Sequence, residues 1–394
     1  MKNIRIVIGG NFGDEGKGLM SAYFAEEMMQ RSGRCLVVLS NGGAQRGHTV
    51  KRGELRHVFR HFGSGTFAGA DSYYPQPFIV NPMIFMEEYR ELMSRFPAFR
   101  KTKLYIHPAC RVTTPFEMIT NLILEENRGK SRHGSVGVGI WETVIGEGKL
   151  YGELCSMSEQ ELTGYLKEDR PEHMKRRLLS QGIEKIPEGW QEIIQDPGLI
   201  RRYIEDLWKM RERVQTADDG ILKEYQDIVF ENGQGLLLDR EMIRKGYGHH
   251  TTPSHTGVRN AALMLRELAG SGNEEVVVEA VYVTRSYMTR HGAGRFDTEC
   301  AAEEICPGVQ DLTNQPNASQ GTLRYGTLNM RSFLRRAQRD YHMLRDAFDG
   351  QDGRIRTDWA VAVTHLNEYF HPGTKAKKVK YKSFAEEGPE CVIL

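Results

Sequence analysis

The sequence predicts an α/β protein whose mostly parallel central sheet is covered by helices. Short apolar runs alternate with helical stretches from residue 1 to about 150, and this alternation is typical of a parallel sheet. Glycine-rich turns follow several of these runs, as ligand loops do at the carboxyl ends of parallel strands. Because no internal repeat or low-complexity linker divides the chain, residues 1–394 are predicted to form one large domain.

The individual elements follow from hydrophobic periodicity and segment length. Residues 157–225 are charge-rich and mostly helical, so we expect a helical insertion with a solvated surface, interrupted at Pro171, Pro187 and Pro197. The remaining predicted helices are Leu19–Met29, Met83–Arg95 and Phe116–Glu126. The predicted strands are Ile4–Ile8, Cys35–Leu39, Pro77–Val80, Leu104–Ile106, Asp227–Phe230, Val276–Val283 and Trp359–Val363.

Composition narrows the range of partners and compartments. The formal net charge is +1, which gives no support for a nucleic-acid partner. The six cysteines are scattered without a CxxC pair, as expected of a reduced, cytoplasmic protein without structural zinc. No apolar run approaches the roughly 20 residues that a membrane-spanning helix needs, so no membrane partner is predicted.

The most informative stretch is GDEGKG at residues 13–18, directly after the first predicted strand. Its glycines let backbone amides approach an anion, and the helix that follows points its N-terminus at the same place. Lys17 adds a cation, and Asp14 adds a carboxylate that can hold a metal ion or accept a proton. The spacing does not match a Walker A motif. The run predicts a phosphoryl-transfer loop; an ordinary strand–helix turn is the simpler alternative.

A second candidate loop, residues 41–50, follows the second predicted strand and contains Gln45, Gly47 and His48 among its glycines. Histidine can donate a proton near neutral pH, although a lone histidine is often only structural. Since the carboxyl ends of parallel strands meet at one edge, we expect Asp14 as base and His48 as acid to act on one substrate. Further glycine-rich turns lie at 133–140, 230–235 and 289–294, and each of them alone is a weak signal.

Taken together, these blocks make the sequence resemble the adenylosuccinate synthetase family. The blocks lie in family order from residue 4 to about 367. GDEGKG at 13–18 and GGAQRGHT at 42–49 look like the two signature loops of the family. Looser matches are HPA at 107–109, TTPF at 113–116, GSVGVGI at 134–140, ENGQG at 231–235, TRHGAG at 289–294 and THLN at 364–367.

The resemblance implies a P-loop-NTPase-like fold without a Walker A motif, a homodimer, and a ligase that uses Mg²⁺ and GTP. It implies that the 6-oxygen of IMP is phosphorylated and that L-aspartate then displaces phosphate to give adenylosuccinate. By position, Asp14 is the base and a magnesium ligand, His48 the acid, Lys17 a phosphate contact, and Gly47 a magnesium ligand through its carbonyl. The other implied nucleotide- or phosphate-binding residues are Gly13, Glu15, Gly16, Gly18, Gln45, Ser135, Val136, Gln234, Thr252, Arg290, His365 and Asn367.

The amino-acid site departs from the family pattern. The family's TTGRxRRxGW loop corresponds to residues 319–328, where only Arg324 of the arginine cluster remains and Thr322 is the other predicted amino-acid-binding residue. Capture of a dicarboxylate usually needs paired, forked guanidinium groups. The candidates to replace the lost arginines are Arg290, Arg331 and Arg335.

Other departures leave the nucleotides open. The guanine-reading TKLD of the family is THLN here, and an asparagine at 367 can face either purine, so ATP is an alternative to GTP. The cross-subunit arginine has no clear counterpart in residues 141–146. One alternative is a specialised ligase using ATP, another 6-oxopurine nucleotide such as (d)GMP, or another amine; the phage branch that uses dGMP and ATP has serine at the position of Asp14. A catalytically inactive nucleotide-binding regulator is the alternative from a different class.

Overall fold

A nine-stranded, wholly parallel sheet forms the centre of the computed structural model, which describes residues 1–248, 250–269, 274–305, 321–349, 354–366 and 378–383. The spatial order of the strands is β5-β4-β3-β2-β6-β1-β7-β8-β9. In chain order they are Lys2–Gly9 (β1), Leu36–Val38 (β2), Asp71–Tyr74 (β3), Leu104–Ile106 (β4), Gln215–Thr216 (β5), Asp227–Gly235 (β6), Val276–Arg285 (β7), Ile355–Thr364 (β8) and Val379–Lys382 (β9).

Helices cover both faces of this sheet, and no helix among the described residues is both long and apolar enough to cross a membrane. On β1, Ile4 and Ile6 face one apolar cluster while Val7 faces another, as expected of a parallel strand buried on both faces. The helices are Lys17–Ser32 (α1), Pro82–Arg95 (α2), Pro115–Arg128 (α3), Ile140–Ile145 (α4), Tyr151–Ser156 (α5), Glu159–Gly164 (α6), Arg170–Leu179 (α7), Glu188–Gln195 (α8), Pro197–Arg211 (α9), Arg259–Ala269 (α10), Ala302–Ile305 (α11) and Met330–Phe348 (α12).

Three small sheets lie beside the central one. A hairpin pairs His48–Arg52 with Leu55–Phe59. A second sheet joins Gly42–Gly43, Phe78–Val80 and Arg111–Val112. The third is an antiparallel set of Met288–Arg290, Arg324–Gly326 and Glu299–Cys300, with Arg324–Gly326 in the middle.

The predicted fold class is confirmed. Five predicted strands fall within β1, β4, β6, β7 and β8, and the predicted strand Cys35–Leu39 contains the shorter β2. The predicted strand at Pro77–Val80 exists but belongs to a small sheet. The sequence reasoning missed β3, whose first two residues are the polar Asp71 and Ser72. Asp71 is buried because its carboxylate accepts hydrogen bonds from the Lys103 amide (2.6 Å) and the Tyr225 hydroxyl (2.5 Å).

The segment 157–225 is mostly helical, as expected, but Pro171 does not interrupt it. A π-helical turn at Tyr165–Asp169 joins α6 to α7, and Pro171 lies in the first turn of α7. The wider turn accommodates the proline ring within a continuous helix. Leu162 and Leu207 of this segment share an apolar cluster with Phe85 of α2, so its inner face is part of the core.

Asp340 of α12 is a fully buried carboxyl group that connects three elements. Its Oδ2 accepts hydrogen bonds from the Tyr282 hydroxyl of β7 (2.9 Å) and the Val258 amide before α10 (3.1 Å). A Cβ at Gly257 would lie 2.0 Å from Asp340 Oδ1, so only glycine allows this approach. Burial raises the pKa of Asp340 to about 7.

The raised pKa of Asp340 predicts a stability that falls as pH rises. Between the ordinary pKa of about 3.8 and the native value of about 7, the folded chain holds a proton that the unfolded chain releases. The free energy of unfolding should therefore fall by up to about 1.4 kcal/mol per pH unit across that window. Urea unfolding of the protein and of Asp340→Asn from pH 5 to 8 measures this difference. The exposed Asp346→Asn on the same helix should keep the slope; equal slopes in all three proteins would contradict the prediction.

Candidate active site

Because all nine strands run parallel, the loops after β1, β2, β6, β7 and β8 open at the same edge of the sheet. The loop after β1 is the GDEGKG segment, and the loop after β2 leads to His48. In open α/β sheets this edge is where ligands bind. The sequence prediction that these loops meet at one edge is confirmed by the topology.

Three residues at this edge have a strained backbone. Asp14 (φ 60°), Gln234 (φ 57°) and His365 (φ 57°) are the non-glycine residues with positive φ within the described ranges. They lie in the loop after β1, at the end of β6 and directly after β8. Non-glycine residues in this region are uncommon and concentrate at functional sites. All three are among the residues that the sequence predicted for the site.

In the first loop a glutamate holds the predicted phosphate-contacting lysine. Glu15 Oε2 accepts from Lys17 Nζ (2.9 Å), while Oε1 accepts from the amides of Asn11 (2.9 Å) and Gly13 (2.8 Å). Both charged side chains are buried. The internal carboxylate therefore fixes the lysine and two loop amides.

Residues distant in the sequence brace the backbone of this loop. The Thr364 hydroxyl at the end of β8 donates to the carbonyl of Glu15 (2.7 Å). Arg285 Nε, at the end of β7, donates to the carbonyl of Asp14 (2.6 Å). Arg336 of α12 donates from Nε to the carbonyl of residue 10 (2.7 Å). Sequence reasoning did not identify these braces as site residues. Arg331 and Arg335, which it offered as replacements for the lost arginines of the amino-acid loop, are exposed on α12.

The carboxylate of Asp14 lies open to the crevice, with 37% of its side-chain surface exposed. The imidazole of His291 is its neighbour, with Nε2 3.6 Å from Oδ2. His291 belongs to the TRHGAG block but was not among the predicted site residues; its place beside glycines after a strand was the available signal.

His48 lies at the start of the hairpin, above a buried glutamate. Its Nδ1 is 2.6 Å from Glu231 Oε1, and Arg46 Nη2 is 2.5 Å from the same oxygen. Ser64 contributes its amide to Oε2 (2.9 Å) and its hydroxyl to Oε1 (3.0 Å). A Cβ at Gly18 would lie 2.8 Å from the Cβ of His48, so this glycine lets α1 and the histidine strand approach each other.

The charges in this cluster depend on one another. Burial alone would raise the pKa of Glu231, but Arg46 and then His48 outweigh it and lower the value to about 2. Burial, assisted by the Arg46 guanidinium, lowers the pKa of His48 to about 4. Glu231 is thus ionised at neutral pH and His48 neutral. The imidazole then donates Nδ1–H to Glu231 and presents the lone pair of Nε2.

Several predicted nucleotide-binding residues have buried polar atoms without a partner among the described residues. These atoms are Gln45 Oε1, Gln234 Oε1 and Thr252 Oγ1. The side-chain amides of Gln45 and Gln234 both lie next to Gly42. A Cβ added to this glycine would be 3.3 Å from Gln45 Nε2 and 3.4 Å from Gln234 Oε1. Buried polar groups are normally hydrogen-bonded. The arrangement suits a polar ligand in contact with both amides.

The third glycine-rich loop is folded onto an internal carboxylate. The amides of Gly134 and Ser135 donate to Glu125 Oε2 of α3 (2.9 and 3.2 Å). The Ser135 hydroxyl donates to Asn121 Oδ1 (2.8 Å), and Val136 is exposed. The loop lies beside Gly292, since a Cβ added to this glycine would be 3.3 Å from the carbonyl oxygen of His133. It therefore borders the loop that carries His291.

The remaining predicted residues differ in their surroundings. Arg290 is fully buried and donates to the carbonyls of residues 250, 293 and 295. Arg324 is partly exposed and forms a two-pronged ion pair with Glu299. His365 contacts the Thr364 hydroxyl through Nδ1 (2.8 Å). Thr322 is exposed, and Asn367 lies outside the described residues.

The predicted magnesium ligands have suitable chemistry. The exposed carboxylate of Asp14 and the carbonyl of the exposed Gly47 are oxygen donors, the type that Mg²⁺ prefers alongside water and substrate phosphates. Within the ranges that the structure describes, no three His, Cys, Asp or Glu side chains cluster as a metal site. The donor set thus fits a cation shared with a phosphate ligand, not an all-protein metal cage.

Fold and site together define an α/β protein with a glycine-rich ligand edge on a parallel sheet. The family model of adenylosuccinate synthetase matches residues 6–338, and the chain belongs to that family. It is 29% identical over 304 residues to adenylosuccinate synthetase of Clostridium botulinum (strain Eklund 17B / Type B), covering 76% of this chain and 66% of that one. The relative from Mesoplasma florum is 26% identical over 314 residues, covering 78% and 67%. The chain thus spans about two thirds of the length of these relatives.

Two solved structures share the fold. Fully ligated adenylosuccinate synthetase from Plasmodium falciparum matches with a TM-score of 0.63 and 19% identity, covering 92% of this chain and 77% of that one. Succinoaminodeoxyadenylate synthetase of cyanophage S-2L, bound to dGMP and to dATP as an energy donor, matches with a TM-score of 0.63 and 15% identity. That match covers 100% of this chain and 95% of the cyanophage chain.

The Glu231 cluster predicts a large stability loss when its charge is removed. Glu231→Gln keeps the volume but leaves the Arg46 guanidinium buried without its counter-ion. Breaking a buried ion pair by removing one partner costs about 3–5 kcal/mol, which urea unfolding measures. The control Glu26→Gln, in a solvent-exposed pair with Arg52, should change the free energy of unfolding by less than about 1 kcal/mol. An equally small loss in Glu231→Gln would contradict the prediction.

Proposed function

We propose that the protein is a nucleotide-dependent C–N ligase that phosphorylates the 6-oxygen of IMP with GTP and joins L-aspartate to the activated carbon, giving adenylosuccinate. The observation that carries this proposal is the meeting of Asp14, Lys17 and His48 at one edge of the sheet, in a chain that belongs to the adenylosuccinate synthetase family. A base, a cation and a proton donor are the groups that this phosphoryl transfer requires.

In the first step Asp14 removes the N1 proton of the purine. The released electron pair moves to the 6-oxygen, which forms a bond to the γ-phosphorus while the bond to the β-phosphate oxygen breaks and GDP leaves. Lys17, fixed by Glu15 (2.9 Å), stabilises the negative charge that develops on the transferred phosphoryl group.

His48 acts on the same phosphoryl group. In the ligand-free chain burial keeps this imidazole neutral, but a phosphate dianion close to Nε2 favours the protonated form. Glu231 holds the opposite nitrogen (2.6 Å), so the ring is oriented before the substrate arrives. The proton on Nε2 then stabilises the transferred group as an acid.

In the second step the amino nitrogen of aspartate attacks C6. The C6–N bond forms, the C6–O6 bond breaks, phosphate leaves with the oxygen, and the amine loses a proton. Asp14 and Gly47 would hold Mg²⁺, which neutralises phosphate charge when it is bound. Gln45, Gln234 and Thr252 are proposed to bind IMP through the polar atoms that lack protein partners.

The second candidate function is the same chemistry on other nucleotides or with another amine. Asn367 in the guanine-reading motif and the single arginine in the amino-acid loop favour it. The cyanophage synthetase, whose structure contains dGMP and dATP, has the same fold. An inactive nucleotide-binding regulator is disfavoured because the base, the cation and the acid are all present. The family resemblance supports a homodimer, which light scattering in solution tests.

A substrate matrix separates these functions. Purified protein with Mg²⁺ is incubated with IMP, GMP or dGMP, with GTP or ATP, and with aspartate, and the absorbance of the succinyl purine is followed. Turnover is expected to be fastest with IMP and GTP. Faster turnover with another pair would replace that assignment by the second candidate, and no product from any folded sample would overturn the ligase proposal.

Asp14→Asn tests the proposed base. The amide keeps the size of the side chain but cannot accept the N1 proton, so kcat should fall by about 10²–10⁴. Asp206→Asn, on the surface helix α9, serves as a control and should retain full activity. Wild-type kcat in Asp14→Asn would exclude this carboxylate as the base.

A further inference from the structure

The small antiparallel sheet brings two arginines together. Arg290 and Arg324 are directly opposite each other in its register, and directly opposed residues share a face of the sheet. The sequence had offered Arg290 as a replacement for the lost arginines, but its guanidinium is fully buried and donates to three backbone carbonyls. Arg324 is therefore the member of this pair that a ligand can reach.

The fork of Arg324 is already filled by an internal carboxylate. Its Nε donates to Glu299 Oε1 (2.7 Å), and its Nη2 donates to Oε2. This two-pronged geometry is the one that guanidinium groups use to capture carboxylate ligands. Side-chain exposures of 27% for Arg324 and 44% for Glu299 place the pair at the surface, where ion pairs are weak and can be exchanged.

Arg324 has a second anchor besides Glu299. Its Nη1 donates to the carbonyls of Gly292 (3.1 Å) and Gly294 (2.9 Å). These glycines follow His291, whose ring faces the proposed base Asp14 (3.6 Å). The fork is thus anchored on the loop that borders the proposed reaction centre, and an exchange of carboxylates leaves the anchor intact.

Two neighbouring arginines are engaged elsewhere. Arg295 pairs with Asp297 (2.5 Å), and Arg336 binds the first loop (2.7 Å). A carboxylate arriving at this rim therefore meets Arg324 as its two-pronged partner.

We propose that Glu299 is a resident counter-ion that competes with the substrate carboxylate for Arg324 and so sets the affinity for the acidic amine. The inference rests on the proposed function. Glu299 holds the guanidinium in a productive orientation while the site is empty. Glu299 releases the Arg324 guanidinium when an amine that carries a suitably placed carboxylate binds.

The test is Glu299→Gln, which removes the competing charge at constant size. KM for aspartate should fall about fivefold, the equivalent of a partly exposed ion pair, while kcat and both nucleotide KM values stay within about twofold. Asp297→Asn removes the neighbouring Arg295 pair and should leave every constant unchanged. Glu299→Asp keeps the charge and should retain a KM near that of the wild type. Thermal melts confirm that each variant is folded.

An unchanged or higher KM for aspartate in folded Glu299→Gln overturns the inference. Faster wild-type turnover with L-asparagine than with L-aspartate also overturns it. Arg324 would then not select for the side-chain carboxylate of the amine substrate. If Glu299→Gln fails to fold, Arg324→Lys decides, because loss of the two-pronged geometry should raise KM for aspartate at least fivefold. An unchanged KM there refutes the proposal. Failure of the ligase proposal looks different, since the wild type then forms no succinyl product at all.

Discussion

The buried carboxylate of Glu231 is the interaction on which the arrangement of the site depends. A carboxylate without solvent is stable only with full compensation, and here the compensation comes from Arg46, His48 and Ser64, all on segments between β2 and β3. These segments cannot shift relative to β6 without leaving the charge unpaired. Gly18 then places the start of α1 against His48. The first loop, the histidine and β6 are thus held in contact with one another.

Internal glutamates also hold the groups that are predicted to bind anions. Glu15 binds Lys17 and two loop amides, Glu125 binds the amides of the third loop, and Glu299 binds Arg324. Each carboxylate orients donors that would otherwise repel one another or relax in solvent. The loops are therefore ordered before any ligand is present, which lowers the entropic cost of binding. The three glutamates differ in exposure, and Glu299 is the most accessible.

Local sequence patterns predicted those parts of the fold and site that depend on interactions between residues close together in the sequence. Buried β-branched runs identified β1, β6, β7 and β8, and a glycine-rich turn with a lysine identified the first loop. The strand DSYY escaped because Asp71 is stabilised by partners 32 and 154 residues away. Arg285, Arg336 and Thr364 escaped for the same reason, since each bonds the first loop across more than 270 residues. Spacing within a segment carries no information about such contacts.

The same distinction explains why the proposed phosphoryl half of the site is easier to predict from sequence than the proposed amine half. The proposed phosphoryl transfer would use backbone amides, a lysine and a strained carboxylate within one loop. Close contacts require glycine at both ends of this region, since the side chains of Glu15 and Lys17 approach Gly9 and His48 approaches Gly18. The proposed amine half is assembled from three short strands, on which Arg290 and Arg324 are directly opposed and share a face. Arg290 is nevertheless buried against the carbonyls of residues 250, 293 and 295, whereas Arg324 is partly exposed and pairs with Glu299. Contacts with surrounding loops, which neither composition nor register reveals, separate the two roles.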